Sequence, residues 1–165
     1  MAEDQYRIAV DLAPSNGDAN NNLGAFLCKS GRADIAIPYF EKAAKDPFYR
    51  TPAVAFANAG SCELQSGNLD KAERFLRESL DYDAEFADAL LALANVSFLK
   101  GEDFRARAFL QRYESSNPGS AESLLLGSRI ESRLNNSKGA SQYAAELLSR
   151  FPNSKQAEEL KGNEQ

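Results

Sequence analysis

The chain is 165 residues long, carries a net charge of −5 and contains no histidine. Its length suffices for one domain with a sizeable core. Its acidity argues against nucleic acid or an anionic membrane surface as the main partner, and the missing histidine removes the commonest general base, the Ser/His and Cys/His dyads and most zinc sites.

No carboxylate pair stands apart from ordinary solvated helix charge, so we expect no enzyme, no metal site and no cofactor. No run approaches the length of a membrane span. The opening MAEDQYRIAV has acids where a secretory signal has its apolar core. That leaves two readings, a cytosolic protein or an export signal upstream.

Residues 1–13 read as one helix with Tyr6, Val10 and Leu12 apolar and Pro14 behind it. Beyond it the sequence is periodic. Ala72, Ala106 and Ala140 are each 34 apart, as are Gly67 and Gly101, and Pro118 and Pro152. A helix-turn-helix period of this length with small residues at fixed places marks a tetratricopeptide (TPR) array. We therefore expect an all-α, TPR-type α-α superhelix, a right-handed solenoid, in one domain. In that frame residues 1–16 are the second half of a repeat whose first helix is absent, so the chain is expected to begin mid-repeat.

Repeat one covers 17–52, with Asp18 as the expected cap of its first helix. Leu23-Gly24 lies at the helix crossing, Gly31 at the turn, and Ala36, Phe40 and Ala43 on the second helix. Asp46-Pro47-Phe48-Tyr49-Arg50-Thr51-Pro52 then breaks the period, since Gly31 to Gly67 is 36 residues. Two prolines and two aromatics here predict a packed surface feature rather than a slack linker.

Repeat two (53–86) has Gly60 at the crossing, Gly67 at the turn, and Ala72, Phe75, Leu76 and Leu80 behind. Repeat three (87–120) shows the pattern most plainly. Leu90, Leu93, Ala94, Val96 and Phe98 stripe one helix, and Ala106, Phe109, Leu110 and Tyr113 the next. Repeat four (121–154) opens on Ser120 as cap, and its turn, Asn135-Asn136-Ser137, lacks the glycine. The polar tail 155–165 is given at most a short helix.

Single pairs cannot bury their apolar faces, so neighbours must stack. The concave face, lined by each pair's first helix, is where such arrays hold peptides. The register puts Asn21, Ala25 and Cys28 there from repeat one, and Asn58, Ser61, Leu64 and Gln65 from repeat two. Repeat three adds Leu91, Asn95 and Phe98, and repeat four Leu125, Arg129 and Ser132. Asn amides can bond a peptide backbone as donor and acceptor. Leu64, Leu91 and Phe98 read equally well as inter-repeat core. Asn21 and Ala25 stand where chaperone-binding relatives carry a carboxylate clamp, so that clamp is not expected. Cys28 and Cys62 sit near the ends of neighbouring first helices. They could meet in a disulfide or stay free as small hydrophobes. The alternating charges at Lys71–Arg77 and Glu102–Arg107 read as solvated faces.

Three stretches carry a resemblance: Asn21-Asn22-Leu23-Gly24-Ala25-Phe26-Leu27-Cys28, the Asp46–Pro52 loop, and Ser123-Leu124-Leu125-Leu126-Gly127-Ser128-Arg129-Ile130. They are similar to the NNYGxFLC, DPxYPTP and SLLLGxRI stretches of the type IV pilus biogenesis TPR lipoproteins, the PilF/PilW family. The resemblance covers roughly residues 1–155, and the aligned proline loop is its most specific part. Arg50 departs from the pattern, standing where proline is usual.

The resemblance implies a pilotin, which helps the pilus secretin reach the outer membrane and assemble. It implies export, a lipidated cysteine ahead of this chain, and a place on the periplasmic face of the outer membrane. Some members carry cysteines matching Cys28 and Cys62, and an oxidising periplasm favours their bridge. The implied partner is a secretin segment on the concave face, with the loop residues Pro47, Phe48, Tyr49 and Pro52 as the second candidate surface. The alternative is a general TPR scaffold in another envelope or cytosolic complex.

Overall fold

In a computed structural model the described residues are 2–162. Among them ten helices and no strand occur: α1 (Ala2–Leu12), α2 (Gly17–Lys29), α3 (Ala33–Lys45), α4 (Pro52–Gln65), α5 (Leu69–Tyr82), α6 (Ala87–Leu99), α7 (Asp103–Ser116), α8 (Ala121–Arg133), α9 (Ser137–Arg150) and α10 (Lys155–Gly162). The chain divides within α6 into two compact units, Met1–Ala92 and Leu93–Gln165.

Every helix-turn-helix closes in the same way, because the turn needs one residue at positive φ. Gly31 (74°), Gly67 (79°) and Gly101 (80°) supply it in three turns. Asn135 (57°) supplies it in the fourth, a conformation asparagine tolerates better than other side chains. The amide five residues on then returns to the helix. Arg32 donates to Leu27 O (3.0 Å), Asn68 to Glu63 O (2.9 Å), Glu102 to Ser97 O (2.9 Å) and Asn136 to Glu131 O (2.8 Å).

In the first unit α2 packs on α3, α3 on α4 and α4 on α5, with α1 against α2. The helices approach closely where a glycine faces a bulky side chain. A Cβ on Gly24 would lie 2.8 Å from the Phe40 ring, and one on Gly60 would lie 2.5 Å from Leu76. Phe40, Phe75, Leu23, Leu27 and Val10 share one buried cluster. Of the apolar residues read in α1 only Val10 is buried; Leu12 is 82% exposed. The cap of α2 differs from expectation. Asn16, not Asp18, is the N-cap, its Oδ1 accepting from Ala19 N (2.8 Å). Asp18 lies one residue inside the helix, in the first turn, where its charge meets the helix dipole.

In the second unit α8 packs on α9, and α10 on both. Gly127 faces Tyr143 with the same sixteen-residue offset as Gly24 and Phe40; a Cβ there would lie 2.7 Å from the ring. Ser120 caps α8 in a box with Ser123, each side chain bonded to the other's backbone N–H. The segment after Pro152 forms the short helix expected of it, and that helix is anchored rather than loose. α10 buries Ala157 completely and joins the cluster of Leu124, Leu125 and Leu147.

Candidate functional site

Cys28 and Cys62 are joined in a disulfide, with Cα atoms 5.8 Å apart. The bond ties α2 to α4, the first helices of neighbouring pairs, and Cys62 is 1% exposed within the core cluster. Asn21 and Asn58, half-buried on the same two helices, hydrogen-bond to each other, Asn58 Nδ2 donating to Asn21 Oδ1 (2.9 Å). Each amide thus spends one of its polar groups on the other. Ala25 and Cys28 pack on the core cluster. Leu64 and Leu91 are half-buried; Gln65 is exposed.

In the second unit Asn95, Leu125 and Arg129 line one small cavity of about 210 Å³ together with Gln156 and Glu159 of α10. Arg129 Nη2 pairs with Glu159 Oε1 across it. Phe98 does not join that cavity's lining. It is half-buried, with the Arg133 guanidinium 4.3 Å from its ring centroid and Arg133 Nη1 donating to Phe98 O (2.9 Å). A second cavity, about 570 Å³, lies between α7 and α9. There Tyr143 Oη donates to Glu114 Oε2 (2.9 Å), and burial raises the pKa of both groups.

The Asp46–Pro52 loop is built rather than slack. Asp46 Oδ2 accepts from Gly17 N at the start of α2 (2.7 Å), and its Oδ1 accepts from Phe48 N (2.9 Å). Tyr49 N donates to Asp46 O (3.1 Å). The Tyr49 ring covers Gly17 so closely that a Cβ there would lie 2.5 Å from it, and burial raises the Tyr49 pKa. Pro52 opens α4, where a missing N–H costs nothing. Pro47 is exposed, and Phe48 is 89% exposed.

The pattern of the sequence did not signal two buried carboxylates. Glu63 (4% exposed) accepts from Asn68 Nδ2 (2.6 Å), and Glu131 (7% exposed) accepts from Asn136 Nδ2 (2.6 Å). Both pin the turn at the end of their helix. A trace of them is the spacing Glu-x4-Asn at Glu63, which recurs two periods later at Glu131. Nor are all the charge runs merely solvated: Arg107 reaches Glu131 and Lys71 reaches Glu63 from neighbouring helices.

Comparison with known proteins bears on the whole chain. Tetratricopeptide repeats match at residues 2–50 and 63–130. Type IV pilus assembly protein PilF of Pseudomonas aeruginosa is 26% identical over 160 residues, 97% of this chain, and the chain spans 64% of its length. Its solved structure superposes with a TM-score of 0.84 at 25% identity, over 98% of this chain and 73% of that one. The crystal structure of PilW, described as a widely conserved type IV pilus biogenesis factor, superposes with a TM-score of 0.86 at 34% identity. That match covers 96% of this chain and 73% of the other. With its TPR helix pairs and this identity to PilW along nearly its whole length, the chain belongs to the PilF/PilW family of type IV pilus biogenesis TPR proteins.

Proposed function

We propose that the protein is a pilotin, a non-enzymatic interaction module that helps the pilus secretin reach the outer membrane and assemble. The observation that carries the reading is the likeness to PilW at 34% identity over 96% of the chain. The Cys28–Cys62 disulfide supports a place in an oxidising compartment, which a periplasmic station beneath the outer membrane would provide. A lipid anchor ahead of this chain completes the proposal.

Deleting the gene and tracking the secretin by membrane fractionation and native electrophoresis tests it. Secretin left as monomer, or retained in the inner membrane, and restored by complementation, is the expected result. Secretin that assembles normally in the outer membrane without this protein rejects the reading.

A further inference from the structure

The Asp46–Pro52 loop has a shorter counterpart in the same unit. At 83–86, Asp83 Oδ1 accepts from Glu85 N (3.1 Å) and Phe86 N donates to Asp83 O (3.1 Å). The first loop makes the same two bonds from Asp46, to Phe48 N and Tyr49 N. The two turns are thus one motif, and in the shorter one the tip residue is an exposed glutamate. In the longer one it is Phe48. The motif therefore needs no aromatic side chain at its tip. The loop's packing need is met by Tyr49 over Gly17, and its capping need by Asp46 on Gly17 N. Phe48, 89% exposed, serves neither.

The surroundings of Phe48 are basic in an acidic protein. Lys42 and Lys45 lie in the last turn of α3, and Arg50 follows Tyr49 in the loop. All three are exposed. None of them forms an ion pair among the described residues. Of the acids at the loop, Asp46 has both oxygens committed to backbone N–H groups, and Asp18 of α2 lies near enough to help raise the Tyr49 pKa, so the cations outnumber the one uncommitted carboxylate.

We propose that Phe48, flanked by Lys45 and Arg50, is a rigid docking knob that inserts into an apolar pocket rimmed by carboxylates on the partner protein. This rests on the reading that the partner is the secretin. Charge complementarity selects the occupant: three free cations in a chain of net charge −5 attract an acidic rim and steer encounter. The anchoring hydrogen bonds, the buried Tyr49 and the prolines at either end fix the loop beforehand, so little ordering entropy is lost on binding. A lone aromatic side chain held this way fits a pocket better than a lipid interface, which single residues enter only weakly.

The test measures binding of purified secretin subunits by biolayer interferometry with wild-type protein, Phe48→Ala, the double variant Lys45→Glu/Arg50→Glu, and Lys138→Glu as a control for net charge. Phe48→Ala is expected to weaken binding at least about thirtyfold, as for a central interface residue. Its melting curve should stay unchanged, because the side chain touches little of its own protein. The double variant is expected to slow association about tenfold at low salt, with the effect fading as salt rises. Lys138→Glu should change little.

Tight binding by wild type and Phe48→Ala alike overturns the knob while leaving the secretin reading intact. Absence of secretin binding by the wild type rejects that reading, and this assignment with it. Phe48-dependent binding to phosphatidylglycerol vesicles, with Phe48-independent binding to secretin, overturns the protein pocket in favour of a lipid surface.

Discussion

Arg107 on α7 and Glu131 on α8 meet in a two-point ion pair, Nε to Oε1 at 2.7 Å and Nη2 to Oε2 at 2.6 Å. Glu131 is nearly buried and also holds Asn136, so the pair links a helix–helix contact to the turn beyond it. Removing the arginine would strand a carboxylate in low dielectric. Arg107→Ala should therefore cost about 2–4 kcal/mol, somewhat less than for a fully buried pair because Arg107 keeps contact with water. Replacing both partners, with Arg107→Met and Glu131→Leu, should cost less than the single change. Urea titrations of the three proteins decide it; equal losses in the single and double variants would refute the account.

The disulfide closes a stretch of 34 residues between Cys28 and Cys62. In the chain-entropy picture a bridge of that span stabilises by about 4 kcal/mol. Reduction, or Cys28→Ser with Cys62→Ser, should lower the urea midpoint accordingly and leave the helical circular dichroism nearly intact in the absence of denaturant. Thiol titration of the denatured, unreduced protein should find no free thiol; two would contradict the bridge.

Gly67 has φ of +79° and nothing within 4 Å of where a Cβ would stand. A side chain there meets no clash, so any loss on substitution is backbone strain alone. Gly67→Ala should cost about 1 kcal/mol. Asn135→Gly, at the one turn without glycine, should by the same reasoning be neutral or slightly stabilising. Both are read by thermal melts, and a Gly67→Ala protein as stable as the parent would be inconsistent with the left-handed turn.

Glu3 of α1 receives Arg32 at both oxygens (3.0 and 2.7 Å) and Arg7 at one. Chiefly the Arg32 hydrogen bonds, then those from Arg7, hold its carboxyl down at about 2 from a usual 4.5. A depressed carboxylate contributes stability above its unfolded pKa and loses it as pH falls through the folded one. Melting temperature should therefore fall between pH 4.5 and 2 more steeply in the wild type than in Glu3→Gln. The variant should be the less stable at neutral pH, with the difference closing near pH 2. Parallel curves for the two proteins would remove Glu3 from the acid response.

The helices and their pairing were legible in the sequence because a TPR array is nearly one-dimensional. Each pair repeats the same local demands: a small residue where helices cross, a left-handed residue in the turn, apolar stripes at helical spacing. Gly24 and Gly60, and Gly31, Gly67 and Gly101, wrote those demands directly into the period, whereas Gly127 stands one residue off it. The two extra residues after Lys45 likewise marked a loop that would not be slack. What the period could not carry was which partner a polar side chain finds. Glu63 and Glu131 looked like surface charge, and only packing of the neighbouring helix made them buried staples. Asn16 took the cap from Asp18 because a shift of two residues in the helix start decides it. Phe48 and Tyr49, adjacent and both aromatic, were indistinguishable as letters. Tertiary structure alone separated them, because the close approach of the loop to Gly17 left room for one ring inside and sent the other into solvent.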